Sequence, residues 1–149
     1  MAFRISEAPM DTALLAHGLQ DGSAGAVSTF EGRVRNVNEG RAVQSLEYEV
    51  YTPLALSEGE RILAEARKRF NILGAECVHR SGTLKLGDVA VWVGVLAAHR
   101  GPAFDACRYI IDEVKVRLPI WKKEHYADGA SGWINCVTRT GPAEGAILK

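Results

Sequence analysis

From Val89 to Ala97 the chain is an almost unbroken apolar run, Val-Ala-Val-Trp-Val-Gly-Val-Leu-Ala. Read as a strand, Val89, Val91, Val93 and Val95 share one face and Ala90, Trp92 and Leu96 the other. Both faces then need cover, which places the strand in the middle of a sheet. A second pattern, Leu46, Tyr48 and Val50 alternating with Glu47, Glu49 and Tyr51, predicts a half-buried strand. Together with a strand from about Ala26 to Arg35 and a loop over Asn36 to Arg41 containing Gly40, it reads as a hairpin. Turns at Ser81-Gly82 and Gly87-Asp88 separate strands over 77–80, 83–86 and 89–97.

Three segments carry the helical period instead. Asp11 can cap a short helix bearing Leu14, Leu15 and Leu19, which Asp21-Gly22 ends. Ser57-Glu58-Gly59-Glu60 has the form of a capping box and opens a helix whose apolar face is Ile62, Leu63, Ala66 and Phe70. A third helix starts after His99-Arg100-Gly101, with Pro102 in its first turn. Its expected stripe is Phe104, Cys107, Ile111, Val114 and Leu118, and Pro119 ends it. Helices alternating with hairpin-joined strands predict an α+β fold with a mixed or antiparallel sheet and packed helices.

A chain of 149 residues, 47% hydrophobic, suits one compact domain, here expected over 1–139 with a loose tail at 140–149. Eighteen basic side chains balance eighteen acidic ones, so no global field draws the protein to nucleic acid or to an anionic membrane. Anion recognition must therefore be local. The three cysteines, Cys77, Cys107 and Cys136, have no spacing that suits zinc and read as small buried hydrophobes in a reducing compartment. The N-terminus lacks the apolar core of a signal peptide, and no run is long enough to span a membrane, which together imply a cytoplasmic protein.

Cations cluster in two places. Arg33 and Arg35 point to one side of a strand. Lys115 sits on the last turn of the third helix, while Lys122 and Lys123 follow the corner at Pro119, with Trp121 between them as an apolar anchor. His99 and Arg100 stand at the end of the central strand and just before a helix N-terminus, where free N–H groups attract anions. Each motif taken alone is as well explained by a solvated surface or a helix dipole. His79-Arg80, followed by a hairpin turn rather than a helix, reads as structural.

In order and spacing, the blocks Phe30 to Asn36, Leu46 to Tyr51, His79 to Gly82, Ala98-His99-Arg100 with Ala103-Phe104, Lys115, and Pro119 to Glu124 closely resemble the large, catalytic subunit of molybdopterin synthase. The resemblance runs from about residue 26 to Trp133. It implies an α/β-hammerhead fold and a homodimer at the centre of a heterotetramer, with a small ubiquitin-like sulfur-carrier subunit at each end. The reaction it implies converts cyclic pyranopterin monophosphate (precursor Z) to molybdopterin by two sulfur transfers from the carrier's C-terminal Gly-Gly thiocarboxylate. No further cofactor or metal is implied. Carried over by position, the substrate pocket falls on Arg33, Val34, Arg35, His99, Arg100, Lys115, Lys122, Lys123 and Glu124, with Lys115 and Lys122 as the catalytic pair. The chain departs from the family pattern in a slightly longer loop over 125–132. The basic residue that the family carries past Trp133 is also not at its usual place, and Arg139 is the nearest candidate.

Two other classes fit parts of the same pattern. A non-catalytic module that senses a phosphorylated metabolite would use the anion pocket but leaves the two lysines around Pro119 unexplained. An RNA-binding platform on Arg33, Arg35 and Tyr48 is disfavoured by the zero net charge.

Overall fold

The computed structural model describes residues 2–135. Its elements are β1 (Ala2–Ser6), α1 (Thr12–His17), β2 (Ala26–Arg33), β3 (Val37–Asn38), β4 (Arg41–Val50), α2 (Thr52–Arg69), β5 (Gly74–Arg80), β6 (Gly82–Lys85), β7 (Val89–Ala97), α3 (Arg100–Arg117), β8 (Ile120–Tyr126) and β9 (Trp133–Asn135). The fold is α+β. Cys136, Arg139 and the expected tail at 140–149 lie outside the described residues.

The apolar run forms β7, an inner strand of a four-stranded sheet in the order β1-β5-β7-β2. Only β1 and β5 run parallel. Val91, Val93 and Val95 join the main core with Ile62, Leu63 and Ala66 of α2 and Ala106, Ile110 and Val114 of α3. Trp92 and Leu96 face the other way, into a smaller cluster with Leu19 and Val78. Val89 belongs with that second group and not with the other valines. The β2–β7 register slips between Gly32 and Arg33, so Ala90 is an extra residue and the alternation inverts across it.

The second sheet runs β3-β4-β8-β9, with β6 paired to β4 as well. The expected hairpin between 26–35 and the strand around Tyr48 does not form. β2 spends its pairing on β7, and past Arg33 the chain leaves the first sheet, pinned there by Val34 N–H to Asp88 O (3.0 Å) and Gly87 N–H to Val34 O (2.9 Å). The local hairpin is instead β3–β4, closed at Glu39 (φ 51°) and Gly40 (φ 78°), the pair of positive φ values that a tight two-residue turn requires. β1, β8 and β9 are strands that the sequence pattern did not reveal.

Both long helices differ from expectation. α2 begins at Thr52, five residues before Ser57, because Pro53 fits the first turn and Tyr51 takes the N-cap position. The supposed capping box is thus helix interior. Its Glu60 instead accepts the backbone N–H of Phe3 (2.8 Å), and its Gly59 lies against the Phe3 ring. In α3 the buried positions are Ala103, Ala106, Cys107, Ile110 and Val114, while Phe104 is 61% exposed. The stripe is rotated because small alanines let α3 sit close on β2 and β7, which pushes Phe104 to the rim. Arg117 joins the helices through Glu65 (2.6 and 3.0 Å) and Glu58 (3.1 Å) of α2. Among the described residues, no helix is long and apolar enough to cross a membrane.

Candidate active site

Where the two sheets and the end of α3 meet, a cleft of about 190 Å³ opens. Its lining includes Arg33 at the end of β2 with Val34 and Arg35 just past it, Ala90 and Val91 of β7, Leu46 and Tyr48 of β4, Lys115 of α3, and Lys122 and Glu124 of β8. Each side chain is aimed by its element. On β8, Lys122 and Glu124 are two apart and so share a face. Lys122 stands across the ladder from Tyr48, and Glu124 across from Leu46. Lys115 is on the last turn of α3, whose direction the buried Ile110 and Val114 fix, and the helix dipole favours a cation there.

The polar groups of the wall are interlocked. Glu124 is 7% exposed, and its Oε1 accepts from Asn38 Nδ2 (2.9 Å) and from the Tyr126 hydroxyl (3.3 Å). Lys122 Nζ lies 3.9 Å from the same oxygen. Arg33 is exposed and reaches back to Glu31 (2.8 Å). Four cations therefore face the cleft against one lining carboxylate, a balance that suits an anionic ligand.

The structure brings six of the predicted site residues to the cleft: Arg33, Val34, Arg35, Lys115, Lys122 and Glu124. Three others are elsewhere in the chain. Lys123 takes the opposite face of β8, its amine 5.4 Å from the centre of the Trp133 ring. His99 and Arg100 are exposed at the N-terminus of α3, roughly 22 Å along the helix from Lys115 at 1.5 Å per residue. The anion site expected at that helix start is therefore remote from this chain's cleft. Trp121 is not the corner's anchor either. It is 38% exposed on the outer face of β8, and Leu118 and Ile120, both nearly fully buried, hold the turn instead.

Sequence reasoning missed Asn38, Tyr48 and His79. Asn38 gave no signal, since it belongs to a two-residue strand inside a presumed loop. Tyr48 was legible as the polar-tipped residue on the apolar face of its strand and as part of the disfavoured RNA platform, but not as a residue of the anion pocket. His79, read as structural, is 3% exposed and packs edge-on against Tyr48 at 5.0 Å between ring centres. Burial, reinforced by the charge of Lys115 and partly offset by a bond to the Arg80 carbonyl, lowers its pKa to about 4.

Neither described cysteine is a candidate nucleophile. Burial pushes the Cys77 thiol far above its ordinary range and also raises Cys107, so neither forms a thiolate near neutral pH. Among the described residues, no group of three or more His, Cys, Asp or Glu side chains is placed to hold a metal ion. The longer loop over 125–132 is tied down by Arg41, which binds Asp128 (3.0 Å) and stacks over Tyr126 at 3.7 Å. That arginine is thus a structural clasp.

Comparison with known proteins gives a consistent result. The MoaE protein family profile matches residues 5–117. A molybdopterin synthase catalytic subunit from Nostoc sp. is 43% identical over 136 residues, covering 90% of this chain and 82% of the relative. One from Thermoplasma volcanium is 41% identical, covering 87% of this chain and 94% of the relative. Among solved structures, the X-ray crystal structure of molybdopterin synthase from Staphylococcus aureus superimposes with a TM-score of 0.82 at 35% identity, over 87% of this chain and 93% of that one. A complex of subunits 1 and 2 of the molybdopterin-converting factor from Helicobacter pylori shares the fold, with a TM-score of 0.73 at 22% identity over 94% and 93% of the two chains. With a family match over most of its length and relatives above 40% identity, the chain belongs to the MoaE family of molybdopterin synthase catalytic subunits.

Proposed function

We propose that the cleft binds cyclic pyranopterin monophosphate and that its lysines promote sulfur transfer to it from the C-terminal thiocarboxylate of a small carrier protein, giving molybdopterin. The observation that carries this reading is the convergence of Lys115 from α3 and Lys122 from β8 on one cleft that Arg33 and Arg35 also line. The arginines suit the substrate phosphate, since a guanidinium offers paired donors to phosphate oxygens. The lysines suit the reacting end, where an ammonium stabilises developing negative charge and a neutral amine moves a proton. Both described thiols are held protonated by burial, which suits delivery of sulfur by a carrier and not by either of them. An extended Gly-Gly tail is the slimmest peptide that could carry it into so narrow a space.

A homodimer is part of the proposal. The cleft of about 190 Å³ is smaller than the roughly 300–1,000 Å³ typical of small-molecule sites, so one chain supplies only part of a wall. His99 and Arg100, too far along α3 to serve their own cleft, would then complete the site of a second copy. Lys123, on the outer face of β8, is read as a contact to the incoming carrier and not to the pterin. The reaction is inferred to take place in the cytoplasm.

The test is single-turnover conversion of the precursor by thiocarboxylated carrier. Lys115→Ala and Lys122→Ala should each slow product formation by roughly a hundredfold or more, the range for loss of a positioned acid, base or charge-stabilising group, with a milder loss for Lys123→Ala. Near-normal turnover in both of the first two variants would sink the proposal.

A further inference from the structure

We propose that Tyr48 and His79 are positioning residues for the lysines of the cleft, an inference that rests on the sulfur-transfer reading above. Tyr48 lies opposite Lys122 in the β4–β8 register, is 8% exposed, and lines the cleft together with Lys115. Immediately behind it is His79, whose ring meets the phenol ring edge-on at 86°.

His79 occupies a position where packing alone calls for an apolar residue. Along β5, Ala75, Cys77 and His79 alternate onto one face, and the first two belong to the main core. The cross-strand partner of His79 is Val91, which lines the cleft. The imidazole is therefore the last layer of the core beneath the site. A buried polar ring is costly unless its hydrogen bonds are met.

The bond that it makes defines its chemistry. His79 Nδ1 is 2.7 Å from the Arg80 carbonyl oxygen, and a carbonyl can only accept. Nδ1 therefore carries the proton, which leaves Nε2 as an acceptor. With its pKa lowered to about 4, by burial first and by Lys115 in smaller part, the ring stays neutral at working pH and adds no second cation behind the amine. A phenol both donates and accepts, whereas an ammonium only donates. Tyr48, against whose ring His79 packs edge-on, thus gives the cleft one phenol oxygen that can accept from a cleft amine while its single O–H can donate to His79 Nε2. The reacting amines are thus set in place by a polar pair at the back of the cleft.

Three variants of the full-length protein test this in the single-turnover assay. Tyr48→Phe removes one oxygen and keeps the ring contact, His79→Phe keeps ring bulk without an acceptor, and His79→Gln restores an amide acceptor. At saturating precursor, Tyr48→Phe and His79→Phe should slow conversion by roughly tenfold, the worth of one hydrogen bond of about 1.4 kcal/mol, while precursor affinity changes by less than about twofold. The basic limb of the pH–rate profile, followed to about pH 10, should shift in both, and His79→Gln should recover part of the rate. A wild-type rate and pH profile in Tyr48→Phe, or equal losses in both His79 variants tracking only their melting temperatures, would overturn the inference. Lys115→Ala, assayed alongside, separates the two claims. Normal turnover in that variant removes the catalytic amine itself, whereas a dead Lys115→Ala with a normal Tyr48→Phe removes only the positioning role.

Discussion

Lys122 Nζ stands 3.9 Å from Glu124 Oε1, two residues along the same strand, with the two side chains 15% and 9% exposed. That separation is too long for a hydrogen bond, so the carboxylate balances the ammonium without capturing its donors. Asn38 and Tyr126 hold Glu124 in place and keep it from swinging onto the lysine. Lys122 thus sits in a confined wall beside a carboxylate that leaves its donors for a ligand.

Removing that carboxylate should therefore be felt first in stability. Glu124→Ala orphans the Asn38 amide and leaves the Lys122 charge uncompensated, an expected cost of about 1–3 kcal/mol. Glu124→Gln keeps an acceptor for Asn38 and should cost less, with its effect concentrated on turnover. Denaturant midpoints of the two variants, compared with their single-turnover rates, check the order.

The distance between Arg100 and Lys115 along α3 predicts complementation between defective chains. Arg100→Ala alone should weaken precursor binding by about 1–3 kcal/mol with the fold intact. Mixed dimers of Arg100→Ala and Lys115→Ala chains should regain activity, because one of their two sites then receives Lys115 from one copy and Arg100 from the other, both unaltered. Activity that stays at the level of the separate variants, in dimers shown by mass to be mixed, would mean that Arg100 does not serve the partner's cleft.

Acid should destabilise the protein in two windows. His79 has a folded pKa of about 4, below its unfolded 6.5, so the unfolded chain binds the extra proton between those values. The associated stability is full above pH 6.5 and declines as pH falls towards 4. Glu65, held at about 2 by hydrogen bonds from Arg117 and Tyr109 against an ordinary 4.5, contributes stability that is present above 4.5 and lost as pH falls through 2. Melting temperatures across pH should show His79→Gln flattening the first decline and Arg117→Ala flattening the second.

Gly59 reverses the usual rule for helix interiors. Alanine normally stabilises such a position by about 1 kcal/mol relative to glycine. Here a Cβ would sit 2.2 Å from the Phe3 ring, where β1 crosses α2. Gly59→Ala should therefore destabilise by about 1–3 kcal/mol through overpacking. Urea unfolding of Gly59→Ala, alone and combined with Phe3→Ala, tests this, since trimming the ring should remove most of the penalty.

Much of the lining of the cleft was readable from residue order. Val89 to Ala97 had to be an inner strand, because a run apolar on both faces has no other stable place. The core helices, the cation pairs and the blocks shared with the family were equally legible, since they depend on residue type and local spacing. The sequence did not decide which segments pair. β2 and β4 were each recognised as strands, yet their long-range partners, β7 for one and β6 and β8 for the other, depend on contacts across long stretches of chain. The face shown by a periodic stripe was likewise settled by close packing: Phe104 and Trp121 went outward because Ala103, Ala106 and Ile120 fill the interior more closely. Tertiary structure alone joined Tyr48 to His79 and Asn38 to Glu124, residues 31 and 86 apart in the sequence. It also moved His99 and Arg100 away from the cleft that their sequence block had suggested. Hydrophobic period and charge are local properties that a linear chain can display, whereas a site assembled from two sheets and a helix end exists only once burial has fixed how those elements meet.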